Sequence, residues 1–319
     1  MIKTAICELF GIKHPIIQGG MAWVSTARLV SAVSNAGALG ILGTGDAHPD
    51  WIRQQIHLTK ELTSQPFGIN ILLDSPHINQ IIDLIIMERV TIVTTGIGNP
   101  ANLIPRFKKR GIKVLPVISN VSMARQLEKS GADALITEGM ESGGHIGELT
   151  TMALVPQIVD RVKIPVIAAG GIADGRGLAA ALVLGAQGVQ IGTRFVCSEE
   201  CGAHQSYKER IIKSTGNATV ITGQKLKRPL RSLRNKLTNQ LGILERAGLT
   251  QKELRLFNQG RIYLGIVEGD TVDGYLLAGQ IAGLVKHIQP AEVIVNNIIT
   301  EAEIILKHAG QQTSKEINQ

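Results

Sequence analysis

Aromatic side chains are scarce in this chain of 319 residues: Trp, Tyr and Phe together make up 3%. Proteins that hold single-stranded nucleic acid stack its bases on aromatic rings, so the composition argues against a nucleic-acid partner. Cysteine is scarce as well. Cys7, Cys197 and Cys201 are odd in number and show no two-residue spacing. Zinc sites draw on closely spaced Cys and His, so the three are read as reduced structural thiols, and no metal is expected. No apolar run reaches the ~18 residues that cross a bilayer. The opening MIKTAICELFGIKHP scatters charges where a secretory signal has an apolar core. No membrane association is expected, and the protein is read as cytoplasmic.

Glycine and short aliphatic runs are abundant instead, with 35 glycines and 44% hydrophobic residues. The runs recur in order as PIIQGG, ALGILG, FGINILL, VTIVTTG, KVLPVIS, ADALITEG, PVIAAGG and GVQIGT, from Pro15 to Thr193. Unbroken apolar runs of this length suit parallel strands buried on both faces. Helix-like stretches separate them, most ending in Gly or a basic residue. Eight strands alternating with helices read as an α/β fold, a (β/α)8 TIM barrel. A doubly wound open sheet is the alternative, since pattern alone does not close a barrel.

The pattern changes after the eighth run. Residues 198–270 are polar, basic and helix-prone, with KLKRPLRSLRNKLT inside (Lys225–Thr238). They are read as a small, mainly helical cap inserted after strand eight, leaving 1–197 and 271–319 as the barrel. GYLLAGQIAGLVKHI and AEVIVNNIITEAEIILKHAG are expected as two amphipathic helices completing the wall, and the tail QQTSKEINQ as frayed.

In a barrel the active site gathers at the C-terminal ends of the strands. The seventh and eighth runs end in AAGGIADG and IGTRF, the places where phosphate-binding barrels present backbone N–H groups. Gly170, Gly171, Gly192 and Thr193 are therefore candidate phosphate ligands, although tight turns alone would also use such glycines. Gly20, Met21 and Ala22 follow the first run, where small residues suit a flat ring lying across the barrel. Asn70 ends the third run with an amide that donates and accepts, as a flavin's pyrimidine edge requires; it equally suits a turn cap. Asp174 reads as a helix cap. His14, His48, His57, His77, His204, His287 and His308 are taken as surface residues. His145 differs, sitting among glycines in EGMESGGHIG after the sixth run. It either exchanges a proton during the reaction or only bonds the phosphate or a loop carbonyl.

The motifs PIIQGGMAWV, FGIN, VTTGIGNP, EGMESGGHIGELTTM, PVIAAGGIADG and VQIGTRF together resemble one flavin barrel superfamily. It contains the FMN-dependent enoyl-acyl-carrier-protein reductases and the nitronate monooxygenases (2-nitropropane dioxygenases). GGHIGELTTM, LRSLRNKLT and AGQIAGLV are more similar to the reductase branch. The resemblance implies FMN phosphate held by Gly170, Gly171, Gly192 and Thr193. It places the ring against Met21 and Ala22, Asn70 at its polar edge and Glu138 near the ribityl chain, with His145 as the active-site histidine. The implied reaction is reduction of a trans-2-enoyl thioester by NADH or NADPH through FMN, the last step of the fatty-acid elongation cycle. The alternative is oxidation of a nitroalkane or nitronate with FMN and oxygen, and a third is a barrel that binds phosphate without catalysis. The implied partner is enoyl-acyl carrier protein, an acidic protein that the basic Lys225–Lys236 stretch could meet unless that stretch is only a solvated helix face. A homodimer is compatible with the sequence.

Overall fold

The computed structural model describes residues 2–316. Eight short strands close into a parallel barrel: β1 (Ile16–Gln18), β2 (Leu39–Gly43), β3 (Phe67–Leu72), β4 (Ile92–Gly96), β5 (Lys113–Ile118), β6 (Leu135–Glu138), β8 (Val166–Ala169) and β9 (Gly188–Ile191). The open-sheet alternative is thereby excluded, because β1 pairs with β9 in the register Ile17↔Gln190. A two-residue strand, β7 (Gly144–His145), lies outside the barrel with the antiparallel pair β10 (Thr219–Thr222) and β11 (Leu230–Leu233).

The barrel interior is aliphatic near its N-terminal end. Ile17, Leu39, Ile41, Leu115, Ile136 and Ile167 pack there on Ile6 and Phe10 of the short helix Ala5–Phe10, which plugs the bottom. Outside, the strands bury their other faces against the helices, consistent with strands apolar on both sides. Helix starts follow local chemistry: Asn120 Oδ1 accepts from Met123 N–H at 3.1 Å, and Asp174 Oδ1 from Arg176 N–H at 3.1 Å. With its bottom plugged and its sides covered, the barrel opens at its C-terminal mouth.

After the one-turn helix Thr193–Val196 the chain leaves the barrel, and Ser198 bridges Gln289 where it returns. Between them lie helices Gln205–Ile212, Lys236–Arg246, Gln251–Asn258 and Arg261–Ile266, with the β10–β11 hairpin. Leu230, Leu237, Leu241, Leu254 and Tyr275 form a small core of their own. The expected helix over GYLLAGQIAGLVKHI is absent apart from a 3-10 turn, Gln280–Leu284. Here the chain instead runs flat against the site loop: a Cβ on Gly279 would lie 2.7 Å from Glu141 O. The second expected helix is present, Ala291–Glu316, packed on helices Gly175–Val183 and Ala27–Asn35. It carries most of the tail expected to fray; residues 317–319 lie outside the described residues.

Candidate active site

One cavity opens at the barrel mouth, and every site residue named from the sequence lines it: Gly20, Met21, Ala22, Asn70, Glu138, His145, Gly170, Gly171, Gly192 and Thr193. On the β8–β9 side the wall is mostly bare backbone. Gly170 and Gly171 hold φ +89° and +74°, a left-handed conformation that favours glycine. A Cβ on Gly170 would lie 2.8 Å from Gly139 O. Thr193 Oγ1 accepts from Gly279 N–H at 2.9 Å, which leaves the hydroxyl proton to donate. Gln190 Oε1, deep in this wall, is buried without a partner among the described residues. An unpaired buried acceptor in a polar cavity fits a ligand that brings a donor.

On the opposite side Asn70 is fixed by donating Nδ2–H to Thr94 Oγ1 at 2.9 Å. Gly20 must be glycine, since a Cβ there would fall 2.2 Å from the Asn70 Cβ. Two large residues on the mouth loops hold left-handed backbone: Trp23 at φ 63° and Ile97 at φ 52°. Such strain gathers at ligand sites. Trp23 is held between Trp51, with ring centres 5.6 Å apart, and Tyr263 of the inserted segment, edge-on at 5.1 Å.

Glu138 and His145 carry the titratable chemistry. The Glu138 carboxyl is enclosed by protein on every side but the cavity, and burial pushes it up to about 7 against a lowering contact from Ser142. It is therefore partly protonated at neutral pH. His145 is open to the cavity, yet surrounding protein lowers its pKa below 6.5 by desolvation. The charge of Arg228 lowers it further, and Asp74 opposes. At pH 7 its imidazole is neutral.

The sequence did not reveal how His145 is held. β7 pairs antiparallel with β11, placing Leu230 opposite His145 and Arg231 opposite Gly144, and Ile146 N–H donates to Pro229 O at 3.1 Å. Arg231 Nε donates to Met140 O at 3.0 Å and Nη1 to Thr219 Oγ1 at 3.1 Å. The Lys225–Lys236 stretch is thus not one helical face. Arg231 is 4% exposed in a strand, Arg228 pairs with Asp74, and Lys236 opens a helix beside Asp273 at 3.6 Å. Only Lys225, Lys227, Arg234 and Lys236 of its basic residues are exposed. LRSL is apolar only at its two ends and lacks a strand's period of two, so nothing local in it marks the strand, which is buried throughout. Tyr207, Ile262 and Ile266 of the inserted segment also line the cavity, although nothing local in their sequence marks them.

Six of the other seven histidines lie at least partly exposed and away from the cavity lining. His14 corrects the surface reading. It is 4% exposed, with both ring nitrogens unpartnered among the described residues, because the Gly37 turn folds over it; burial lowers its pKa. Asp174 caps its helix and also chelates the Arg176 guanidinium. The three cysteines are buried and free. Among the described residues no helix is long and apolar enough to cross a membrane.

The nitronate monooxygenase family model matches residues 3–83 and 75–301. The chain belongs to that family of flavin oxidoreductases. It is 34% identical to a probable nitronate monooxygenase from Staphylococcus saprophyticus, over 96% of this chain and 99% of the relative. It is 35% identical to a (3aS,4S,5R,7aS)-5-hydroxy-7a-methyl-1-oxo-octahydro-1H-indene-4-carboxyl-CoA dehydrogenase from Mycobacterium tuberculosis, over 97% and 98% of the two chains. Among solved structures it is similar to FabK from Thermotoga maritima, with 44% identity and a TM-score of 0.95 over 98% of this chain and 100% of that one.

Proposed function

We propose that this family member is an FMN-dependent reductase of trans-2-enoyl thioesters that uses NADH or NADPH. The observation that carries the reading is the likeness to FabK, an enoyl-acyl-carrier-protein reductase, which extends over the inserted segment as well as the barrel. The Mycobacterium relative adds support, because its printed name describes action on a CoA thioester.

The cavity fits FMN on its own evidence: a glycine cradle, a hydroxyl with a free proton, an oriented amide and an unpaired buried acceptor. Gly170, Gly171, Gly192 and Thr193 would hold its phosphate, Met21 and Ala22 its ring, Asn70 the polar edge and Glu138 the ribityl hydroxyls. FMN supplies a hydride relay between the nicotinamide and Cβ of the enoyl thioester. The chain supplies the rest. A neutral His145 donates one N–H and accepts at the other nitrogen, so it passes a proton from water toward Cα without ever storing one as imidazolium. Tyr207, Ile262 and Ile266 exclude bulk water from that proton's path. Exposed Lys225 and Lys227 on the hairpin turn meet the acidic carrier protein that delivers the substrate.

A second reading is favoured by one observation: a neutral, low-pKa His145 is also a competent base toward a nitroalkane carbon, as the family name suggests. Anaerobic mixing of the flavin-loaded protein with NADH and crotonyl thioester, with a parallel aerobic assay on nitroethane, separates the two. Thioester-dependent loss of NADH is expected. If NADH loss ignores the thioester while nitroethane consumes oxygen, the second reading replaces the first.

A further inference from the structure

One pair of opposite charges spans the mouth from the two parts of the molecule. Arg228, on the turn between β10 and β11, donates through Nη2 to Asp74 Oδ2, two residues past the end of β3. Neither residue belongs to the cavity wall. They stand at its rim, and both charges are felt at His145. The chain holds Arg228 there firmly: Pro229 O accepts from Ile146 N–H, and Leu230 lies opposite His145 in the ladder.

The pair is a poor latch. Its side chains are 40% and 45% exposed, and an ion pair so open to water adds little stability. The turn that presents it is nevertheless costly, since Lys227 sits at φ 54° where a plain turn would carry glycine. Strain spent to hold a guanidinium at an entrance, against a carboxylate that releases easily, suits anion capture.

We propose that Arg228 recognises a phosphate group on the incoming substrate, and that Asp74 is its resting partner, displaced when that phosphate arrives. This rests on the enoyl-thioester reading for the identity of the substrate. The chemistry is a phosphate ester, carried either on the pantetheine arm of the thioester or on the dinucleotide. Guanidinium binds phosphate through two parallel N–H···O bonds, and a phosphate's greater charge outcompetes a single carboxylate. Lys227 and Lys225, exposed on the same turn, add to the attraction.

The test compares Arg228→Ala, Arg228→Lys and Asp74→Asn in the flavin-loaded protein. Calorimetry with 4′-phosphopantetheine and pantetheine needs no turnover and stands apart from the assigned reaction. The native protein is expected to prefer the phosphorylated compound about tenfold, one charge-assisted contact's worth. Arg228→Ala removes that preference, Arg228→Lys keeps part of it, and Asp74→Asn enlarges it by freeing the guanidinium. In turnover, a thioester source lowers the kcat/KM ratio of crotonyl-CoA to crotonyl-N-acetylcysteamine about tenfold in Arg228→Ala. A dinucleotide source instead raises the KM for NADH in that variant. No pantetheine preference together with an unchanged NADH KM overturns the proposal. Equal weakening in Arg228→Ala and Asp74→Asn also overturns it, since both would then only break a latch. Phosphate preference without any thioester turnover sinks the enoyl-reductase reading and leaves the anion site standing.

Discussion

The two walls of the cavity are built by opposite means. The β8–β9 wall is local: glycines at the ends of adjacent barrel strands expose backbone, and little else is required of them. The His145 wall is long-range. A two-residue strand after β6 is aligned by a hairpin about eighty residues later, with the buried Arg231 tying it to Met140. The first wall is suited to holding a cofactor the fold has in common with others. The second is suited to selecting what reacts with it.

Substitutions on the two walls should therefore fail differently. The largest effect belongs to His145→Ala, expected to cut kcat by ~10²–10⁴ while flavin content by absorbance stays native. A variant that loses flavin in parallel would erase the distinction between the walls. Next is Glu138, which belongs to the binding side by chemistry. Its folded pKa of about 7 lies above the ordinary 4.5, so ionising it opposes folding. Stability of the flavin-free protein should be full below pH 4.5 and fall by up to about 3 kcal/mol as pH rises through 7. Glu138→Gln should flatten that slope in chemical denaturation. Gly170→Val combines a left-handed backbone with a Cβ contact of 2.8 Å to Gly139 O. It should weaken FMN binding about tenfold or more, roughly 1.4 kcal/mol upward, in fluorescence titration, with the KM for thioester little changed.

Smaller effects sharpen the second wall. Arg228 lowers the His145 pKa, so Arg228→Ala should move the acid limb of the kcat profile upward toward 6.5. An unshifted limb would remove Arg228 from His145's surroundings. Smallest is the paired Lys225→Glu, Lys227→Glu change, expected to raise KM for the carrier-protein substrate a few-fold at low salt and less at high salt. An unaltered, salt-independent KM would detach the hairpin turn from carrier-protein docking.

The same contrast sets what could be read from the chain alone. Barrel strands declare themselves as unbroken apolar runs, and their glycine-rich ends follow by position, which is why Gly170, Gly171, Gly192, Thr193, Gly20 and Asn70 stand out in the sequence. The inserted segment obeys no such local rule. LRSL lacks a strand's alternation, and its pairing partner lies far upstream. The glycines of GYLLAGQIAGL mark close backbone approach, not a helix. His14 looked polar and superficial until a glycine turn covered it. Each miss is a case where contact distant in sequence overrode local propensity.

The shared ladder between β7 and β11 also bears on which changes the hairpin tolerates. Because His145 is a rung of the same hydrogen-bonded strip as the β10–β11 hairpin, that hairpin does not behave as an independent module. A graft that alters the hairpin's register by one residue would turn the imidazole to the opposite side of its strand. Changes to the hairpin keep His145 in its place only where they leave Leu230 and Arg231 in step with His145 and Gly144.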